Sequence, residues 1–243
     1  MKIQRTDVYE NGKLLRAPVN CEGNKKMEAV FLYGLEKAYQ SRISRLENKD
    51  FTIIANDCSG SFIYDSLRLK KLSPTCSMTI GRYAFISFCR HLKEYMSMPV
   101  EEATEEDLKK YPGCKVPVGI LRGKDSLPSI GLIFTHYESF EKARETWYRR
   151  RERINYDNLF FILDCAMEKD EKLLDEFERL SVENKVAFTA LEDRERWKDT
   201  FSFQCFSDGK FHSGYFMDYL FTDSGIFNVM DEFDYVNWLN QGR

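Results

Sequence analysis

The sequence is poor in the residues and patterns that declare a chemistry outright. Only three of its 243 residues are histidine, which thins the ligand sets open to a His-rich metal site. Seven cysteines stand at positions 21, 58, 76, 89, 114, 165 and 205, an odd number with no Cys-x-x-Cys pair. Neither a zinc site nor a disulfide framework fits that spacing, whereas reduced cytosolic thiols do. There is no basic excess: 36 Lys and Arg face 39 Asp and Glu, for a formal net charge of −3. Nucleic acid and acidic lipid are therefore not expected as partners. No apolar run approaches the ~18 residues of a membrane helix. The opening MKIQRTDVYENGK lacks the apolar core of a secretion signal, so a cytoplasmic location is expected. Asp-x-Asp, Gly-x-Gly-x-x-Gly and a P-loop lysine are missing, which disfavours the common metal-dependent glycosyltransferases and the familiar nucleotide loops. No metal and no cofactor are expected.

What is present suits a packed α/β domain. With 43% hydrophobic and 14% aromatic residues, the chain can bury a sizeable core, and one domain over residues 1–243 is expected. Residues 1–25 are polar and carry turn signals at Asn11-Gly12, Pro18 and Gly23-Asn24, an irregular lead-in. Lys26 to Leu46 reads as a helix and Phe51 to Ala55 as a strand of β-branched and apolar type. That strand stops at Asn56–Ser61, and a short helix follows to about Leu67. Thr75 to Ile80 and Val116 to Leu121 read as extended pieces, with Tyr83 to Met96 helical between them. Glu101 to Lys110 is a charged, solvated stretch. Lys172 to Leu180 is a further helix and Lys185 to Thr189 a further strand. From Phe201, FSFQCF and KFHSGYF flank Asp208-Gly209 as an aromatic-rich hairpin, and Phe233 to Leu239 closes the chain as a short helix.

The stretch from Ser129 to Cys165 carries the fold argument. Ile130 to Thr135 is an apolar run, and Ser139 can cap a helix from Phe140 to about Ile154. Leu159 to Leu163 is a second apolar run. Run, amphipathic helix and run predict a βαβ unit with parallel strands buried on both faces. The whole reads as a three-layer α/β sandwich around a largely parallel or mixed sheet.

In such a sheet, ligands bind beyond the carboxyl ends of the strands, here Asn56-Asp57-Cys58, His136-Tyr137, Asp164-Cys165 and Thr189. Three readings stand open. In the first, a transferase-like enzyme binds a donor phosphate on Asn56, Asp57, Ser59, Gly60 and Ser61, with Tyr137 beside it and His136 or Asp164 as base. In the second, Cys58 is a thiolate activated by helix-start N–H groups, His136 its base and Asp164 the orienter of an acyltransferase or hydrolase. In the third, the chain binds a sugar or partner without catalysis. Each competes with a bland alternative: a buried thiol at Cys58, simple capping by Ser59 or Ser61, a structural histidine at 136. Arg150, Arg153 and Asn155 form a candidate second anion site. Geometry separates it from His136, because a crossover helix runs back along its strands. Asn155 is also a candidate left-handed helix terminator, and Glu138, Glu141, Glu145 and Glu152 are available partners for the arginines.

The segments FTIIANDC-SG (Phe51 to Gly60), SPT (Ser73 to Thr75), His136-Tyr137, W-YR-RER-IN-Y-DNLF (Trp147 to Phe160) and NKVAFT (Asn184 to Thr189) resemble a bacterial family known as the domain of unknown function nineteen-nineteen. The match runs from about residue 40 to 200. Members are often labelled exopolysaccharide or capsule biosynthesis proteins. The resemblance implies a three-layer α/β fold and an association with surface-glycan genes, and it brings no established catalytic residue; a nucleotide-sugar or glycan is the expected ligand. The chain departs from the family pattern at Ser59, where a bulky aromatic is expected, and at Asp57, where Asn is expected.

Overall fold

The computed structural model describes residues 2–4, 9–10, 13–14, 25–166, 169–191, 193, 195–203, 219–222 and 225–242. The chain begins with three short strands, β1 (Lys2–Gln4), β2 (Tyr9–Glu10) and β3 (Lys13–Leu14), then helix α1 (Lys25–Arg45), strand β4 (Thr52–Ala55) and helix α2 (Ser59–Ser66). Next come β5 (Thr79–Ile80), α3 (Arg82–Arg90), α4 (Leu92–Ser97), β6 (Val100–Glu102), α5 (Glu105–Leu108), β7 (Val118–Leu121) and β8 (Ile130–Ile133). The remainder is α6 (Phe140–Arg151), β9 (Leu159–Cys165), α7 (Glu171–Glu178), β10 (Lys185–Thr189), β11 (Thr200–Ser202), β12 (Tyr219–Thr222), β13 (Gly225–Asn228) and α8 (Tyr235–Asn240).

The fold is α/β, with a parallel sheet of order β11-β10-β9-β4. Strands β4, β9 and β10 are near-continuous apolar runs because both faces are covered. Side chains alternate across β9: Phe160 and Ile162 enter one core with α2 and α8, while Phe161, Leu163 and Cys165 enter the other with α3, α6 and α7. Ser139 caps α6 as its position suggests, accepting a bond from Lys142 N at 3.3 Å. Phe140, Ala143 and Trp147 form the buried stripe of that helix.

The expected βαβ unit from Ser129 to Cys165 is corrected. Strand β8 does not lie beside β9. It pairs antiparallel with β5 and β7 in a second sheet of order β5-β8-β7-β6. An apolar run does not reveal the direction of its neighbour. Closing the short loop between β7 and β8 costs less entropy than a crossover, and the local hairpin wins. Helix α6 therefore bridges two sheets. The single helix expected over Tyr83–Met96 is also divided, at His91, whose backbone (φ −122°, ψ 35°) leaves helical geometry. The charged stretch after Glu101 holds the short helix α5, closed by a reciprocal Thr104–Asp107 capping box.

The outer edge of β4 is closed by side chains. Buried Tyr64 accepts from Ile53 N at 3.1 Å and donates to Phe51 O at 3.0 Å. Thr75 Oγ1 accepts from Ala55 N at 3.1 Å, and is itself bonded to Ser73 at 3.0 Å. At the end of β4 the two sheets meet, where Ile80 N donates to Asn56 O at 2.8 Å.

The hairpin expected around Asp208-Gly209 falls on residues 204–218, outside the described residues. Its first strand is described as β11, which extends the parallel sheet beside β10. Strands β12 and β13 form an antiparallel pair, and β1 of the lead-in adds to β12. Helix α8 closes the chain slightly later than expected, capped by Asp234. Arg42 of α1 holds Asp231 through both carboxylate oxygens at 2.6 Å. Among the described residues no helix is long and apolar enough to cross a membrane.

Candidate functional site

Asn56 is the junction of the carboxyl edge. Along β9, the residues in register with β4 direct their backbone groups toward it, and Asn56 N donates to Ile162 O at 3.3 Å. One step further β4 has ended, because the Asn56 carbonyl turns to β5. The Asn56 side chain stands in for the missing peptide. Its Oδ1 accepts from Asp164 N at 2.6 Å and its Nδ2 donates to Asp164 O at 3.3 Å. Arg82, at the start of α3, adds a bond from Nε to the same carbonyl at 3.0 Å.

This clamp fixes Asp164 beside Asp57. The Asp57 carboxylate accepts from Ser59 N at 3.0 Å, and its charge acts on the Asp164 carboxyl. Burial above all, then the Asp57 charge, pushes the Asp164 carboxyl well above the usual aspartate range. The Ala166 N–H and the Arg82 charge work the other way without reversing it. Neighbouring carboxyls whose protonation is pushed apart are an arrangement that acid–base catalysts use.

Cys58 lies in the same loop, but its thiol is poorly suited to nucleophilic work. Burial and the Asp57 charge push it up to about 12, against the pull of the Thr135 hydroxyl and of Lys71. The expected acidifying effect of the α2 N-terminus is offset because an acid, Asp57, already occupies its first N–H. Iodoacetamide at about pH 7.5 is expected to leave Cys58 unmodified over hours, read by peptide mass spectrometry; rapid selective labelling there restores the thiolate reading.

Ser59, Gly60 and Ser61 are buried, and their geometry serves packing. A Cβ on Gly60 would lie 3.1 Å from Ile53 Cγ2 and 3.3 Å from Ala55 Cβ, so the glycine lets α2 approach β4 closely. Ser61 Oγ accepts from Ser77 N at 2.8 Å. Ser59 Oγ is buried without a hydrogen-bond partner among the described residues.

His136 and Tyr137 follow β8 in the second sheet, and they part company. His136 is exposed, and its ring has no hydrogen-bond partner among the described residues. It is Thr135, not His136, whose side chain reaches Cys58. Tyr137 turns inward, where its hydroxyl meets Arg150 Nη1 at 3.0 Å and burial pushes it above the usual tyrosine range. The expected separation of Arg150 from the His136-Tyr137 turn is therefore corrected. Phe140 and Arg150 lie about 15 Å apart along the helix, and two long side chains bridge that span.

Arg150 also donates to Cys76 O at 2.7 Å. Arg153 lines the same cavity as Arg150, whereas Asn155 is not part of it. Asn155 braces the loop before β9: its N donates to Thr52 Oγ1 at 2.9 Å and its Nδ2 to Asp50 O at 3.1 Å. Helix α6 ends in right-handed geometry at Glu152 (φ −68°), so Asn155 is no left-handed terminator. Among the expected glutamate partners, Glu138 bonds Lys142 and Glu152 lies 3.5 Å from Arg151. Arg82 and the basic residues Arg68, Lys70 and Lys71 escaped sequence reasoning, for no motif marks them. Among the described residues no three His, Cys, Asp or Glu side chains are grouped to hold a metal ion.

The family described as "Domain of unknown function (DUF1919)" matches residues 32–240. A Haemophilus influenzae (strain Rd) protein named "Uncharacterized protein" is 27% identical over 213 residues, covering 81% of this chain and 87% of that protein.

Proposed function

The chain belongs to the DUF1919 family, and from that premise we propose a group-transfer enzyme of surface-polysaccharide assembly, with Asp164 as its acid–base residue and Asp57 as its partner. The observation that carries the chemistry is the Asp164 carboxyl that the Asn56 clamp holds near Asp57, at the edge where parallel sheets bind ligands. The sugar substrate follows from the label that the family's members often carry. In this reading a sugar hydroxyl enters beside Asp164 and gives up its proton to the ionised Asp164 carboxylate as its oxygen bonds to the transferred group. The leaving group departs with its bonding electrons. Asn56 and Arg82 are positioning residues, holding the Asp164 backbone. An Asn at position 57, as the family pattern expects, would remove only the charge. The reaction therefore rests on Asp164.

The raised Cys58 thiol speaks against the cysteine-dependent alternative. The test is turnover across a panel of nucleotide-sugars and simple sugar acceptors, followed by nucleotide release. Asp164→Asn is expected to lower the rate by about 100-fold or more. Asp57→Asn is expected to move the titrating limb of the pH–rate profile to lower pH, since removing its charge lets Asp164 ionise sooner. Absence of turnover with every donor overturns the reading and leaves the non-catalytic one, and full activity in Asp164→Asn removes Asp164 from the chemistry.

A further inference from the structure

A second site lies away from the carboxyl pair. Between the end of α2 and the last turn of α6 a cavity of about 360 Å³ opens. Six cations line it, Arg68, Lys70, Lys71, Arg149, Arg150 and Arg153; Asp65 is the one acid in its wall. Lys71 is paired with that acid, Nζ to Oδ2 at 2.8 Å. Arg68 is paired with Glu36 and lies over the Tyr39 ring at 3.7 Å.

Among the described residues the other four have no ion-pair partner. Arg150 spends its donors on an uncharged carbonyl and hydroxyl, although its charge is also felt by Asp65. Arg149 meets the Thr146 hydroxyl, at 3.3 Å. Lys70 and Arg153 have no hydrogen-bonded or ion-paired side-chain partner among the described residues. In a chain of net charge −3, this concentrates positive charge around one hollow, and the mutual repulsion is relieved by an anion.

Arg68 has a left-handed backbone (φ 52°) just beyond α2, where glycine is the usual occupant. A non-glycine residue there costs about 1 kcal/mol or more. The chain instead plants a guanidinium at the rim of the cavity and fixes it with Glu36 and Tyr39.

We propose that this cavity binds the phosphoryl groups of a small phosphorylated ligand, held by Lys70, Arg149, Arg150 and Arg153. Its volume suits a small molecule rather than a polymer, and arginine forks match phosphate oxygens in pairs. The proposal does not rest on the acid–base reading, because binding here requires no turnover at Asp164. Isothermal titration at fixed ionic strength with pyrophosphate, glucose 1-phosphate and a nucleoside diphosphate tests it and separates the sources of the phosphate. Saturable binding of at least one is expected in the unaltered protein. Lys70→Ala combined with Arg153→Ala should weaken it by about tenfold or more, with the melting curve unchanged. Lys172→Ala, an exposed cation on α7, should bind as the unaltered protein does. Absence of saturable binding with all three probes, an unaffected double variant, or an equal loss in Lys172→Ala overturns the assignment.

Discussion

Asp164→Asn is expected to make the protein more stable at about pH 7–8 while its proposed reaction fails. The Asp164 carboxyl is raised in the folded state relative to the open chain. Such a group contributes fully below its unfolded value, and its contribution is lost as pH rises through the folded one. Between those two values the native protein therefore becomes less stable with each step toward alkali. Asparagine removes the charge that burial and Asp57 oppose. It keeps an oxygen for Ala166 N, which now bonds Asp164 Oδ1 at 3.0 Å, and gains an N–H for Asp57. A stabilisation of about 1–3 kcal/mol fits the replacement of a disfavoured buried charge. For a chain of this size each kcal/mol shifts the melting temperature by about 2–4 °C. Melting curves of both proteins from about pH 5 to pH 9 should diverge progressively as pH rises. Parallel curves over that range would mean that Asp164 ionises normally, and the acid–base assignment would fall with them.

Asn56→Leu is expected to destabilise the fold by about 2–4 kcal/mol. Leucine approximates the volume but leaves the Asp164 N–H with no partner at a buried strand end, and Asp164 O with only Arg82. Asn56→Asp separates packing from hydrogen bonding. It keeps the oxygen that receives the Asp164 N–H but turns a second one toward the Asp164 carbonyl, close to Asp57. Its stability should be lowest near neutrality and recover on acidification as the new carboxyl takes up a proton. Denaturant midpoints at about pH 5 and pH 8 measure both effects. A midpoint for Asn56→Leu within a few tenths of a kcal/mol of the parent would show that the amide is dispensable.

Much of the architecture was legible in the residues. The runs at 51–55, 159–163 and 185–189 read as strands because buried parallel strands are apolar on both faces, and Phe140, Ala143 and Trp147 mark the inward stripe of α6 by spacing alone. Pairing was not legible. Nothing in IGLI at 130–133 says whether its neighbours run parallel or antiparallel, so β8 was expected beside β9 and lies in the other sheet. For the site, the polar group after β4 was recognisable, but its internal division of labour was not. Asn56, read as a ligand contact, continues a hydrogen-bond ladder. Gly60 admits Ile53 and Ala55. The Asp57–Asp164 contact joins residues far apart in the chain, and only the register of β4 on β9 brings them together. The basic cavity is hidden for the same reason, since Lys70 and Arg153 meet only through tertiary packing.

The closure of β4 by Tyr64 and Thr75 bears on self-association. A bare strand at the rim of a parallel sheet is a template on which a neighbouring molecule can deposit a strand of its own. Here the donors at Ile53 and Ala55 and the acceptor at Phe51 are already consumed by side chains of the same chain. The sheet cannot grow past β4 by recruiting a second copy, and loss of the two hydroxyls would turn a finished border into a seed for aggregation.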